Sequence, residues 1–307
     1  MATGSFRLIL CCVFVIIVSQ SSAQTCDHQK GNFTINSTYH KNLNTLLSSF
    51  PSYKDINYGF YNISYGENPD KVYAIGLCRG DQTQDQCLSC LNTSRVSLTQ
   101  NCPNQKEAII WSGECMLRYS NRSIFGVLET QPTLILVNTK NETADRSEAL
   151  SNLFRNLTDL AASGDSRRKY ASSTTFTPDY RTVYGYVQCT PDLSSELCTN
   201  CLSEAIAQIP GCCLYQLGGN ILQPSCRIRY DPYPYYGPTL NLDQLPSNNN
   251  TSPPGKSNSS PTAIAIAVAV PIVVVVLVLS FTYIYIRVRK RRNFFESKCI
   301  APSLDLQ

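Results

Sequence analysis

The sequence predicts an α+β fold: two tandem disulfide-stapled modules, each a small antiparallel sheet with two helices, plus one transmembrane helix. Three observations predict it. First, the stretches from Cys78 to Cys90 and from Cys189 to Cys201 both read C-x8-C-x2-C, 111 residues apart (189 − 78). The same offset carries Cys102 onto Cys213, Cys115 onto Cys226, Gly126 onto Gly237, Val72-Tyr73 onto Val183-Tyr184 and Arg118-Tyr119 onto Arg229-Tyr230. A fixed-period internal repeat sets the domain count before any element is assigned. Second, helical and strand periodicities recur in the same order within each copy. Third, uncharged apolar runs stand at both ends of the 307 residues, at 8–18 and 263–286.

The N-terminal run has the layout of a secretory signal peptide. Arg7 supplies the positive start, residues 8–18 the apolar core, and Ser21-Ser22-Ala23 a small-residue cleavage site, so 1–23 is expected to be removed. Fifteen cysteines then make sense: Cys11 and Cys12 lie in the signal, Cys299 near the C-terminus, and twelve in between. An even number in an oxidising compartment reads as a disulfide framework.

In the first module, assigned to residues 24–130, Leu43, Leu46, Leu47 and Phe50 lie at i, i+3, i+4 and i+7, a helix packed on one side and ended by Pro51. Residues 58–64 and 71–78, rich in aromatic and branched side chains, read as strands around a Gly66-to-Asp70 turn. A helix over 85–98 places Cys87 and Cys90 one turn apart on one face. Strands over 108–111 and 115–119 close the module.

The second module, 138–240, repeats this. Its helix is marked by Leu150, Leu153, Phe154, Leu157 and Leu160 and ended by Gly164; strands follow over 172–176 and 181–189, a helix over 196–208, and strands over 220–222 and 226–230. Residues 131–139 read as a linker. Residues 241–262, rich in Asn, Ser and Pro, read as an extended stalk.

Residues 263–286 carry no charge over 24 positions, enough for a bilayer core that needs roughly 20. Arg287, Arg289, Lys290, Arg291 and Arg292 follow at once, which orients residues 287–307 toward the cytosol: a single-pass type I protein of the plasma membrane. That tail has six basic and two acidic residues, so it accounts for the whole formal net charge of +4, and without Arg7 the ectodomain is near −1. Nothing in this balance points to nucleic acid. N-x-S/T sequons occur at Asn32, Asn36, Asn62, Asn92, Asn121, Asn141, Asn156, Asn249, Asn250 and Asn258, ten acceptors that all lie between the two apolar runs, as a glycosylated ectodomain requires.

C-x2-C serves as a redox dithiol, as half a zinc site, or as two cysteines with separate structural partners. A zinc site needs a second close pair or histidines, and the chain has only His28 and His40. The structural reading is therefore preferred, with no metal and no cofactor.

These residues carry a resemblance. Two C-x8-C-x2-C modules, a signal peptide and one span resemble the ectodomain of the plant cysteine-rich receptor-like kinases, whose module is similar to ginkbilobin and is also called the stress-antifungal domain. Gln188-Cys189-Thr190-Pro191-Asp192-Leu193 and Cys226-Arg227-Ile228-Arg229-Tyr230 look like that branch in particular. The resemblance implies the disulfides Cys78–Cys87, Cys90–Cys115 and Cys26–Cys102, then Cys189–Cys198 and Cys201–Cys226. The second module departs from the pattern: position 137, which matches Cys26, is Val, and Cys212 stands beside Cys213, either as a vicinal disulfide or as two free thiols. Ginkbilobin-like lectins hold mannose with Asn, Arg and Glu at places that here hold Asp27, Ile109 and Ser120; the second copy has Asn220 and Asp231 at the latter two. Carbohydrate binding is therefore not supported by these positions.

The resemblance implies a non-catalytic extracellular recognition module in plant stress or defence signalling that binds a ligand or another receptor ectodomain. A kinase would add a Gly-rich loop, a β3 Lys and a catalytic-loop Asp, none of which lies in residues 293–307; a longer product would be a serine/threonine kinase. Other readings are a plasmodesmata-type junction protein, which shares the layout of two modules, one span and a short tail; an antifungal mannose-binding lectin; and an extracellular redox sensor built on Cys212 and Cys213, since exposed or strained disulfides are the reducible ones. Tyr233, Tyr235 and Tyr236 are candidate contact residues, with packing against the first module the preferred alternative. Cys299 is a candidate for palmitoylation or a free thiol.

Overall fold

In both halves the strands and main helices recur in the same order, with two disulfides at equivalent places. The structure, a computed structural model, describes residues 22–53, 56–138, 140 and 145–237. The signal segment up to residue 21, the stalk, the span at 263–286, the tail with Cys299, and Asn141, Asn249, Asn250 and Asn258 lie outside the described residues, while Ala23, the last residue of the expected signal, is described as the first residue of the first strand.

The first half begins with β1 (Ala23–Cys26), followed by α1 (Thr38–Ser49), β2 (Phe60–Tyr65), β3 (Val72–Cys78), α2 (Gln84–Asn101), β4 (Ala108–Trp111) and β5 (Cys115–Ser120). Its five strands order as β1-β4-β5-β3-β2, all antiparallel, with Cys78 opposite Cys115. The second half repeats this as β6 (Leu134–Val137), α3 (Ser147–Ala162), β7 (Lys169–Phe176), β8 (Thr182–Cys189), α4 (Ser195–Ile206), the one-turn α5 (Ile209–Cys212), β9 (Gly219–Leu222) and β10 (Cys226–Asp231). Its order, β6-β9-β10-β8-β7, is the first sheet's order shifted by the repeat offset, with Cys189 opposite Cys226.

Two readings of the chain are corrected. Residues 134–137 are not linker but the edge strand β6, paired with β9; its counterpart β1 pairs with β4, so each sheet has five strands rather than four. The helix expected over 196–208 ends at Ile206 and restarts as α5. Its equivalent α2 runs unbroken for 18 residues. The difference is Pro210, which has no N–H to donate and whose ring collides with the carbonyl four residues back.

Local chemistry explains the helix starts. Ser37 accepts a hydrogen bond from the His40 N–H, which begins α1 before the first leucine of its stripe. Thr83 forms a capping box with Gln86, and Ser194, its repeat equivalent, caps α4 through the Leu197 N–H. In each half the helices cover one sheet face. Leu43, Leu46, Leu47 and Phe50 meet Leu91, Leu98 and Leu117, while Leu150, Phe154 and Leu157 meet Val187, Leu202 and Ile228. A third apolar cluster lies on the first sheet's other face, where Phe60, Ile75, Leu77, Trp111 and Met116 meet Leu222 of the second half. Burying that face is what joins the two halves.

Candidate functional site

The halves meet along a polar seam. Gln188 Nε2 donates to the Cys78 carbonyl at 2.8 Å, and its Oε1 accepts from Arg227 Nε and Nη2 at 3.2 and 2.9 Å. Arg227 reaches the Ser112 carbonyl with Nη1 at 3.4 Å and stacks over the Tyr186 ring at 5.4 Å. Burial pushes this guanidinium below its ordinary value. Trp111 Nε1 donates to the Gln223 carbonyl at 3.3 Å, Gly126 N–H to Asp192 at 2.7 Å, and Glu129 N–H to Ser225 Oγ at 2.8 Å. On the same seam Arg79 Nε and Nη2 donate to the Asp81 carboxylate at 2.5 and 2.9 Å, and the Gly237 N–H joins at 2.7 Å. Burial alone would raise the Asp81 carboxyl; the Arg79 and Gly237 hydrogen bonds outweigh it and hold the group below the usual range.

Two clefts open on this framework. The larger, about 570 Å³, is lined by residues 25–30, Glu107, Ile109, Arg118, Arg122 and Pro132. Its floor is an internally neutralised cluster. Arg118 pairs with Glu107 and with Glu129, while Arg122 contacts Glu107 at 3.0 Å and Glu129 at 2.5 Å. Burial would raise the Glu129 carboxyl, but the hydrogen bond from Arg122 and the Arg118 charge lower it. The smaller cleft, about 240 Å³, lies where Trp111 and Ser112 of the first half face Leu136, Asn220, Arg229 and Asp231 of the second. Arg229 pairs with Asp231 at 3.2 Å and stacks on Tyr235 at 4.0 Å. Asn220 Oδ1 is buried without a hydrogen-bond partner among the described residues.

Of the positions aligned with the lectin's sugar ligands, Asp27 and Ile109 line the larger cleft and Asn220 and Asp231 the smaller, while Ser120 is buried and lines neither. Asp27 caps the short helix at His28–Lys30 through the Gln29 N–H, Ser120 Oγ donates to Glu107 at 2.8 Å, and Ile109 offers no polar side-chain atom. Among the described residues, no group of three or more His, Cys, Asp or Glu side chains is placed to hold a metal.

The structure bonds Cys26 to Cys102, Cys78 to Cys87, Cys90 to Cys115, Cys189 to Cys198 and Cys201 to Cys226. Cys212 and Cys213 are joined to each other, with Cys213 buried in the second core. Of the described sequons, Asn32, Asn36, Asn62, Asn92 and Asn156 are exposed and Asn121 is half-buried.

The tyrosine run takes a course that sequence reasoning missed. Tyr235 donates to the Arg229 carbonyl at 2.9 Å, and Tyr236 donates to the Ser173 carbonyl at 2.7 Å and packs edge-on to Tyr184. Both rings therefore cover the second half's own sheet rather than the first module. Only Tyr233, 64% exposed, faces solvent.

A family model described as salt stress response/antifungal matches this chain twice, over residues 25–122 and 137–233. The chain belongs to that family. Each match takes in four strands of its sheet whole and overlaps the edge strand, β1 or β6, in part. Among its relatives, cysteine-rich receptor-like protein kinases 26 and 29 of Arabidopsis thaliana are each 42% identical, over 219 and 223 residues. These alignments take in 70% and 71% of this chain and 33% of each relative, so the chain spans about a third of their length. The tandem DUF26 ectodomain of the Arabidopsis thaliana cysteine-rich receptor-like protein PDLP5 superposes with a TM-score of 0.55 at 26% identity, over 68% of this chain and 97% of that one. The PDLP8 ectodomain gives 0.59 at 23%, over 68% and 96%, and shows the fold alone. The described residues are thus a tandem ectodomain of receptor-like type, which is a non-catalytic module. No helix among them is long and apolar enough to cross a membrane.

Proposed function

We propose that this tandem ectodomain is a cell-surface recognition module that binds an extracellular ligand or a second receptor ectodomain in plant stress or defence signalling. The match to receptor-like protein kinases over one shared third of their length carries this reading: that third is the disulfide-stapled tandem. The signal at 1–23 delivers the chain, the ten sequons carry glycans, and the span at 263–286 anchors it as a type I protein with the modules outside. Recognition is the part of the work that the tandem performs, and any phosphoryl transfer belongs to residues beyond it or to a partner. Sugar binding at the lectin positions is disfavoured, because Asp27 and Ser120 are already engaged and Ile109 is apolar.

The test is a full chain with one epitope after residue 24 and another at the C-terminus, expressed in plant cells and combined with surface proximity labelling. The first epitope is expected to be accessible on intact cells, the second only after permeabilisation, and receptor ectodomains are expected to be enriched among labelled neighbours. An inaccessible N-terminal epitope, or labelling confined to cytosolic proteins, overturns the reading.

A further inference from the structure

The two sheets end on equivalent edge strands of opposite character. β1 is Ala-Gln-Thr-Cys and is fastened by the Cys26–Cys102 disulfide; β6, at the same place in the repeat, is Leu-Ile-Leu-Val with Val137 where the cysteine would be. Ile135, Leu136 and Val137 are 39, 39 and 41% exposed. Natural edge strands are usually blunted by a charge, a proline or a bulge. No residue of β6 is charged, and the strand continues its pairing with β9 in regular register.

The register says which groups are open. The Asn138 N–H bonds to the Gly218 carbonyl at 2.9 Å. Backbone bonding alternates along an antiparallel ladder, so Leu134 and Leu136 share that parity and point their N–H and C=O toward β9. Ile135 and Val137 therefore turn theirs outward, and among the described residues no strand pairs with β6 on its other side.

We propose that this edge binds a second copy of the same chain, with β6 adding antiparallel to β6 about a two-fold axis at Leu136. This register is self-complementary. Ile135 lies opposite Val137 of the second copy, and both residues are of the outward-facing parity. Each such pair exchanges two hydrogen bonds, while Leu136 meets its own copy as the closer, non-hydrogen-bonded pair. Branched side chains then meet branched side chains, and no charge in residues 131–138 is set against its like. An isologous contact of this kind closes on itself rather than propagating. The surface covered by four residues is below the roughly 1,200 Å² of stable complexes, so the encounter is a transient one that confinement to a surface populates.

The test uses the full chain in cells, with single cysteines introduced at three positions, mild oxidation and non-reducing gels. Leu136→Cys is expected to give a thiol-reversible band at twice the chain's mass, at least five-fold stronger than Leu134→Cys, which this register separates, or Leu160→Cys on the exposed face of α3. Adding Ile135→Lys and Val137→Lys to Leu136→Cys is expected to remove the band. Comparable bands at all three positions, no band from Leu136→Cys, or an adduct of another mass each overturn self-pairing; the last assigns the edge to a different protein. The comparison of Leu134→Cys with Leu136→Cys stands without the lysine variant if that variant is not secreted.

Discussion

Gln188 sits between a carbonyl of the first half and a buried guanidinium of the second: its Nε2 is 2.8 Å from the Cys78 oxygen and its Oε1 is 2.9 Å from Arg227 Nη2. One amide thus serves both sides of the seam. Arg227 is 3% exposed, and Gln188 Oε1 takes two of its donors. The halves therefore share polar satisfaction as well as apolar surface, so the tandem is expected to unfold as one unit.

Replacing Gln188 by Leu strands the buried Arg227 charge, a change expected to destabilise by about 3 kcal/mol. The double variant Gln188→Leu/Arg227→Leu is expected to lose less than the sum of the singles, because neither partner is left uncompensated. Equilibrium urea denaturation of the ectodomain measures all three. Strict additivity would show that the two side chains do not act together.

Gly80 gives the seam a steric test. A Cβ built there would stand 2.4 Å from Tyr170 Cγ and 2.8 Å from Tyr170 Cβ, across from one half to the other. The base of a buried side chain has little room to give, so Gly80→Ala is expected to cost about 1–3 kcal/mol. Gly113, which has nothing within 4 Å, is the matched control, and Gly113→Ala is expected to leave the melting temperature nearly unchanged.

The disulfides are expected to rank by the loop each closes. Cys26–Cys102, Cys90–Cys115 and Cys78–Cys87 span 76, 25 and 9 residues. On the chain-entropy account their removal costs about 4.5, 3.5 and 2.6 kcal/mol respectively. Cys212–Cys213, with a separation of one, closes no loop, so Cys212→Ala/Cys213→Ala is expected to cost mainly what the buried Cys213 side chain contributes. Thermal unfolding of paired-alanine variants checks the order, and a Cys212/Cys213 loss equal to that of Cys90/Cys115 would contradict it.

Legibility in the sequence followed the physics of each element. β3, β5, β8 and β10 were readable because each begins or ends on a cysteine of the repeat and carries a dense run of branched or aromatic residues. β1 and β6 were not. Ala-Gln-Thr-Cys has no strand signature, and Leu-Ile-Leu-Val sits in a segment whose strand character depends on a partner, β9, more than 80 residues later. The seam was equally hidden: nothing in a Gln or an Arg announces that it will be buried, and the return of Tyr235 and Tyr236 over their own sheet depends on Arg229 and Tyr184 being in place.

Acid is expected to loosen the seam through Asp81. Its side chain is 3% exposed and its carboxyl is held below the usual range, against burial, by Arg79 and the Gly237 N–H. A carboxyl with a lowered folded-state pKa contributes stability above its unfolded value of about 4, and that contribution is lost as pH falls through the folded value. Stability is therefore expected to be flat in this respect from neutral pH to about 5 and to fall below about 4. Glu129, also lowered, and exposed Asp165 and Asp179 add to the same slope, so the native profile alone does not isolate Asp81. Asp81→Asn does: it is expected to lower stability at pH 7 and to flatten the acid limb, so that the two proteins converge as pH drops. Urea midpoints taken every half pH unit from 7 to 3 provide the comparison. Parallel profiles, with the Asn variant displaced by a constant amount, would mean that Asp81 is not among the groups that titrate on unfolding.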